Sequence, residues 1–194
     1  MLPFPEFRIV LASQSPRRRL LLEQAGLPFV VRAQDIPEDF PAEMPVEEVA
    51  EYLARKKAAA AMHHLERKED VILTADSVVI LDGEFYGKPA DAEESAAMLR
   101  RLSGREHTVI TGVCLRTATT ERAFSDIAKV KFAELTDEEI TYYVARYQPF
   151  DKAGSYAIQE WIGLCKIERI QGTYANIMGL PVQRVYAELL ELFG

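Results

Sequence analysis

Cysteine is scarce in this chain. There are two among 194 residues, Cys114 and Cys165, far apart and in no metal-ligand spacing. That argues against a thiolate metal site and leaves buried free thiols of a cytoplasmic protein as the expectation. No apolar run approaches the roughly 20 residues a membrane-spanning helix needs. The opening residues, Met1–Arg8, lack the basic-then-apolar order of a secretory signal, so none is expected. Net positive charge is also missing: 23 Lys and Arg stand against 30 Asp and Glu, a formal charge of −7. General nucleic-acid binding wants a basic face, so neither nucleic acid nor membrane is an expected partner. There are no repeats and no low-complexity linker. What remains is an ordinary globular composition, 48% hydrophobic and 27% charged, on a chain long enough to bury a sizeable core as one domain, 1–194.

Against this acidic background the stretch Ser13-Gln14-Ser15-Pro16-Arg17-Arg18-Arg19 stands out. It follows the apolar run Ile9–Ala12, a buried strand, and opens a helix through Leu20–Gly26. Ser15 suits the N-cap, Pro16 the first helical position and Gly26 the stop. A strand that turns directly into a helix N-terminus aims backbone N–H groups and the positive dipole end outward, which favours an anion. Arginine makes forked, charge-assisted bonds to phosphate oxygens. The cluster therefore reads as a phosphate grip, with solvated surface arginines as the plainer alternative.

Farther along, Pro28–Gln34 reads as a strand and Asp35–Pro45 as a Pro-rich acidic loop, in which Glu38 and Asp39 are metal-ligand candidates or simply solvated. Val46 to about Leu65 is helical, with a stripe through Val49, Ala50, Leu53, Ala54, Ala58 and Ala61. Any one of Arg55, Lys56 and Lys57 could reach a phosphate, though a solvated face explains each singly. His63 and His64 are adjacent and read as a helix end. Val71–Leu81 is a buried central strand with Asp76 and Ser77 at its middle. A carboxylate in an apolar strand costs several kcal/mol unless paired, metal-bound or opened to a cleft. Asp76 is therefore a catalytic or metal-binding candidate, or a partnered core residue.

Asp82-Gly83 turns the chain into a short strand, Glu84–Pro89, carrying Lys88 as a further phosphate candidate. Asp91–Ser103 is a capped amphipathic helix stopped by Gly104. His107–Thr117 and Glu121–Ala133 form a hairpin. Leu135 to about Arg146 is a helix with a Thr136/Glu139 capping box. The loop Gln148–Glu160 carries Lys152, Ser155 and Gln159, polar groups suited to a ligand. A side-chain amide such as Gln159 can read the edge of a base. Trp161 is expected in the core, Leu164–Ile170 as the last strand and Pro181–Phe193 as a closing helix. Strands and helices alternate with at least one hairpin, so the sheet should be mixed.

The ordered set Ser13-x-Ser15-Pro16-Arg17-Arg18, Lys57 after an Ala-Arg pair, Ala75-Asp76-Ser77, Gly87-Lys88-Pro89 and Asp151–Gln159 resembles the Maf family of nucleoside triphosphate pyrophosphatases, from about Ile9 to about Leu192. Each motif alone is weak; the order is specific. The resemblance implies an α/β fold related to the inosine triphosphate pyrophosphatases, with an elongated, mixed, curved sheet, flanking helices and two lobes around a cleft. It implies hydrolysis of a nucleoside triphosphate between the α- and β-phosphates with a divalent cation, Mg²⁺ or Mn²⁺. Asp76 takes the proton-acceptor position and, with Glu38, the metal. Ser13, Ser15, Arg18, Lys57, Lys88 and Lys152 take phosphate and substrate positions, and Arg17, Ser77 and Gln159 take substrate choice. Members are often dimers, so a homodimer is a candidate assembly. Tyr156-Ala157-Ile158-Gln159 resembles the branch acting on dTTP and UTP, with modified pyrimidine nucleotides as further candidates. Two departures stand: Ser77 where that branch usually has Thr, and Lys56 where an acid is common. The alternative is a nucleotide-binding regulator of cell division or septum formation without turnover. A pure binder, however, gains nothing from a carboxylate beside triphosphate.

Overall fold

The computed structural model describes residues 6–194; Met1–Pro5, part of the stretch read as carrying no leader, lie outside the described residues. Seven strands, β1 (Arg8–Leu11), β2 (Phe29–Val31), β3 (Asp70–Leu81), β4 (Glu84–Tyr86), β5 (Glu106–Arg116), β6 (Glu121–Phe132) and β7 (Ile167–Gln171), form one sheet. Its order is β2-β1-β3-β5-β6-β7, with β4 on β3. β1 lies parallel to both β2 and β3, whereas β4 on β3 and β7 on β6 are antiparallel, so the sheet is mixed as expected. Its helices are α1 (Pro16–Gln24), α2 (Val46–Ala61), α3 (Ala92–Leu102), α4 (Asp137–Tyr147), α5 (Trp161–Lys166), α6 (Tyr174–Met178) and α7 (Val182–Phe193). Among the described residues no helix is long and apolar enough to cross a membrane.

The local signals act where the sequence puts them. Ser15 caps α1 by accepting from the Arg18 N–H, Asp91 caps α3 through Glu93 and Glu94, and Thr136 with Glu139 closes the capping box of α4. Three expectations fail. Leu164–Lys166 belongs to α5, and the strand begins only at Ile167. A helix of six residues is under two turns, too short to leave a helical period against the apolar run that follows. Cys165 is exposed rather than buried, because α5 turns that position to solvent; Cys114 on β5 is buried. The five-residue α6 was not anticipated. Trp161 is half-buried, edge-on to Tyr142, at the margin of a core rather than inside it.

The chain divides into two compact units. The first comprises residues up to Asp76, Thr111–Asp126 and Gly179–Gly194. Its core packs Val10, Ala12 and Ile72 against Ala54, Ala58 and Ala61 of α2 and Cys114 of β5. The second comprises Ser77–Ile110 and Ile127–Met178. Its core gathers Val79, Leu81, Leu99, Leu102, Phe132, Ile140, Tyr143 and Tyr156. Buried His107 shares a hydrogen bond with the Tyr156 hydroxyl at 2.8 Å, and burial pushes the imidazole down to about 4, so it is neutral at pH 7.

In the first unit, the register of β1 on β3 sets Arg8 opposite Asp70. Arg8 Nε and Nη2 donate to the two Asp70 oxygens at 2.8 and 2.7 Å, and the Glu66 and Arg67 N–H groups donate to Oδ2 at 2.9 Å each. The Arg8 guanidinium holds the buried Asp70 carboxyl down to about 2, with those N–H groups assisting against the burial penalty. A carboxyl depressed on folding stabilises above its unfolded-state value and loses that contribution as pH falls through its folded one. Asp70→Asn should therefore lower unfolding stability at pH 7 by about 3 kcal/mol. It should also flatten the acid limb of stability between pH 3.8 and 2. Urea titrations of both proteins across that window check this; parallel acid limbs would refute it.

Candidate active site

β1 ends at Leu11, and the chain turns through Ser13 into α1. Both hydroxyls of that turn are used within it. Ser13 Oγ accepts from the Ser15 N–H at 3.2 Å and from Arg18 Nη1 at 3.4 Å; Ser15 Oγ accepts from the Arg18 N–H at 3.5 Å. Arg18 Nε donates to the Gly179 carbonyl at 2.8 Å, which ties the head of α1 to the segment entering α7. The guanidinium is thereby aimed. Burial lowers its pKa from the ordinary arginine value, the neighbouring charges of Asp76 and Glu38 oppose this, and Arg17 adds to it. Arg17, Arg18, Glu38 and Asp76 thus share one electrostatic neighbourhood.

α2 supplies the cation at its centre. Lys57 Nζ donates to Glu38 Oε1 at 2.8 Å and also to Asp76 Oδ1. The Lys57 and Asp76 side chains are only 14% and 13% exposed, so the solvated-face reading of Lys57 does not hold. The pairing follows from the two periods. Thr74 and Asp76, two apart on β3, face α2; Thr74 Oγ1 donates to the Ala54 carbonyl at 2.7 Å, and Lys57 lies one turn beyond Ala54. α2 comes this close because its inward face is mostly alanine, at Ala50, Ala54, Ala58 and Ala61, and because β5 offers Gly112. A Cβ on Gly112 would lie 2.2 Å from the Ala50 carbonyl carbon and the Glu51 nitrogen.

The acidic loop is fastened to the same helix. Gln34 Nε2 donates to the Lys57 carbonyl at 2.7 Å, and Lys56 Nζ donates to Asp39 Oδ1 at 2.6 Å. Consecutive Glu38 and Asp39 thus meet consecutive Lys57 and Lys56. The Lys56 hydrogen bond holds the Asp39 carboxyl below the usual carboxylate range. Lys56, the departure from the family pattern, is therefore a loop anchor.

The first unit accordingly brings together Ser13, Ser15, Arg17, Arg18, Glu38, Lys57 and Asp76. The other expected residues lie in the second unit. Ser77 follows Asp76 on β3, half-buried, and Lys88 is exposed just after β4. The Gly154 N–H donates to the Gly87 carbonyl at 3.1 Å, which joins the Gly-Lys-Pro motif to the Asp151–Gln159 motif. Lys152 is engaged with Asp151 at 2.6 Å and Glu160 at 3.6 Å. The chain turns at Ala157–Glu160, where the Glu160 N–H donates to the Ala157 carbonyl at 3.1 Å. Gln159 sits in this turn with its side-chain carbonyl oxygen buried and without a protein partner. Sequence reasoning missed Thr74, Gly112, Gln34 and the Gly179 carbonyl. Only the glycine inside an apolar strand pattern carried a signal, that of a close backbone approach.

Among the described residues no group of three His, Cys, Asp or Glu could hold a metal alone. Glu38 and Asp76 nonetheless converge on one ammonium. Mg²⁺ commonly takes one or two carboxylates, its remaining ligands being waters and substrate phosphates. The pair fits such an ion.

A family model described as Maf-like protein matches residues 8–192. A dTTP/UTP pyrophosphatase of Porphyromonas gingivalis is 52% identical over 191 residues, covering 97% of this chain and 96% of its own. One of Phocaeicola vulgatus is 48% identical over 188 residues, covering 96% and 97%. The solved Ham1 protein of Staphylococcus aureus aligns at a TM-score of 0.45 with 16% identity, over 65% of this chain and 72% of that one.

The closeness of α2 to β5 gives a direct test. Gly112→Ala must push α2 outward, and overpacking of this kind costs about 1–3 kcal/mol. The same movement carries Lys57 away from Asp76. Urea unfolding of both proteins checks the cost. An unchanged midpoint would contradict the close approach.

Proposed function

The chain belongs to the Maf-like protein family, and we propose that it is a nucleoside triphosphate pyrophosphatase that hydrolyses dTTP and UTP to the monophosphate and pyrophosphate. The observation that carries this is Asp76, a carboxylate at the centre of an apolar strand and held by Lys57, in a chain about half identical to dTTP/UTP pyrophosphatases over almost its full length. A regulator without turnover would use Asp76 only as the partner of Lys57 or a metal and has no need of a proton acceptor.

In this reading water attacks the α-phosphorus, the bond from that phosphorus to the α,β-bridging oxygen breaks, and pyrophosphate leaves. Asp76 accepts the water's proton and orients it. Arg18, Arg17 and the head of α1 meet the charge on the phosphate oxygens, and Lys57 neutralises the two carboxylates that would otherwise repel the substrate. Lys88 and Lys152 supply cationic charge in the second unit. Glu38 and Asp76 would hold the divalent ion, which polarises phosphate oxygens and offsets developing charge.

Base choice is assigned to Gln159, Ser77 and Arg17. The Gln159 carbonyl oxygen lacks a donor. Uracil and thymine both present N3–H beside O4, and an amide whose oxygen faces that N–H matches the donor–acceptor order; cytosine and adenine present the reverse, which the amide meets only when rotated by 180°, so selectivity requires that its orientation be held. Guanine repeats the order at N1 and O6, so it is the competitor that tests the room available. A free-nucleotide substrate and the scarcity of cysteine both suit a cytoplasmic enzyme.

The test is pyrophosphate release from dTTP, UTP, CTP, GTP and ATP with Mg²⁺, with Mn²⁺ and with chelator. Release should be fastest with dTTP and UTP and should stop with chelator. Asp76→Asn should lower kcat by about 10²–10⁴-fold, the range for loss of a general base, while nucleotide binding persists. Wild-type-like turnover in the variant would remove Asp76 from its role. Binding without release by the wild type would restore the regulator.

A further inference from the structure

We propose that Tyr143 of α4 is a specificity-positioning residue: its hydroxyl fixes the turn that carries Gln159 and so sets how the base is read. This rests on the pyrophosphatase reading and on the base-facing role given to Gln159.

The Tyr143 hydroxyl makes two bonds, one to each end of a single turn. It accepts from the Ala157 N–H at 3.1 Å and donates to the Glu160 carboxylate. Ala157 and Glu160 are the first and last residues of the turn, already joined by the Glu160 N–H to Ala157 carbonyl bond. Ile158 and Gln159 are the two residues between. Glu160 is steadied further by Lys152 at 3.6 Å. Burial, then the Glu160 hydrogen bond, push the Tyr143 hydroxyl's pKa well above its usual value, so it remains a neutral donor throughout the working pH range.

The turn is also backed by bare main chain. A Cβ on Gly163 of α5 would lie 1.8 Å from the Ile158 carbonyl oxygen, so α5 touches the turn where only hydrogen fits. Tyr143 itself is fully buried and stacks on Tyr147 at 4.9 Å. The phenol on one side and the α5 backbone against Ile158 on the other brace the turn that carries Gln159. The amide must align two hydrogen bonds with a base edge, and small displacements weaken such bonds steeply. Removing the hydroxyl frees the turn and should erode recognition rather than chemistry.

The experiment compares kcat/KM for dTTP, UTP, CTP and GTP in the wild type, Tyr143→Phe, Glu160→Ala and the double variant, with thermal midpoints. Tyr143→Phe should reduce kcat/KM for dTTP and UTP about tenfold, one to two net hydrogen bonds' worth, mainly through KM. The value for CTP should hold, so the dTTP/CTP ratio drops by the same factor. Glu160→Ala, which keeps the phenol but removes its acceptor, should shift the ratio in the same direction, which keeps the test open if Tyr143→Phe fails to fold. The double variant should cost no more than the larger single effect, because both act through one turn. An unchanged dTTP/CTP ratio in a folded variant, or strictly additive losses, would overturn the proposal while the wild type's own selectivity stands. Absence of wild-type hydrolysis would instead refute the pyrophosphatase reading beneath it.

Discussion

One ammonium organises the first unit. Lys57 is shared by Glu38 and Asp76, and two carboxylates drawn to one point repel unless a cation stays between them. Burying Asp76 and Lys57 is tolerable only because they neutralise each other, and removal of either partner leaves an uncompensated charge. Everything nearby serves to place that nitrogen. The alanine face of α2 and the missing side chain at Gly112 bring the helix against the sheet. The Thr74 bond to the Ala54 carbonyl sets the sliding register. Gln34 and Lys56 fasten the loop that delivers Glu38. The Arg8–Asp70 fork holds β3 in register with β1 six residues upstream of Asp76.

The charge balance of this cluster bears on the proposed chemistry. Arg17, Arg18 and Lys57 carry three positive charges against two on Glu38 and Asp76, with Lys56 and Asp39 paired beside them. The excess favours an anion within a protein whose overall charge is −7. A triphosphate with its divalent ion could enter by exchange: the carboxylates take the ion and the lysine takes a phosphate oxygen. No charge would then be left buried alone.

Local signals were legible in the sequence because their causes are local. Ser15, Asp91 and Thr136 cap the helices they precede, since a cap needs only the next three residues. Asp76 was legible by contradiction, as a carboxylate that an apolar strand does not tolerate without a partner. Lys57 was ambiguous, because a helical stripe does not say how near the basic edge of the helix comes to a carboxylate 19 residues on. Tyr143 was invisible. An aromatic on the apolar stripe of α4 reads as core, which it is, and its hydroxyl's partners lie 14 and 17 residues away. Leu164–Lys166 reads as strand because a six-residue helix is too short to show a helical period of its own.

The two units position their residues by different physics. Every nucleoside triphosphate carries the same phosphates. Charge suits them, because Coulomb attraction is strong and tolerant of angle, and the first unit relies on arginine, lysine and carboxylate. Bases differ only in the order of neutral donors and acceptors, which charge cannot read. Around Gln159 the second unit relies on a phenol hydroxyl, a backbone turn and a glycine contact, with the charged Glu160 and Lys152 turned to one another. Directional hydrogen bonds discriminate only when their geometry is held, so on the proposed reading a braced turn at Gln159 would serve selectivity and charge in the first unit would serve affinity. A loosened turn would leave an enzyme that still holds triphosphate and still hydrolyses it, but distinguishes its substrates less well.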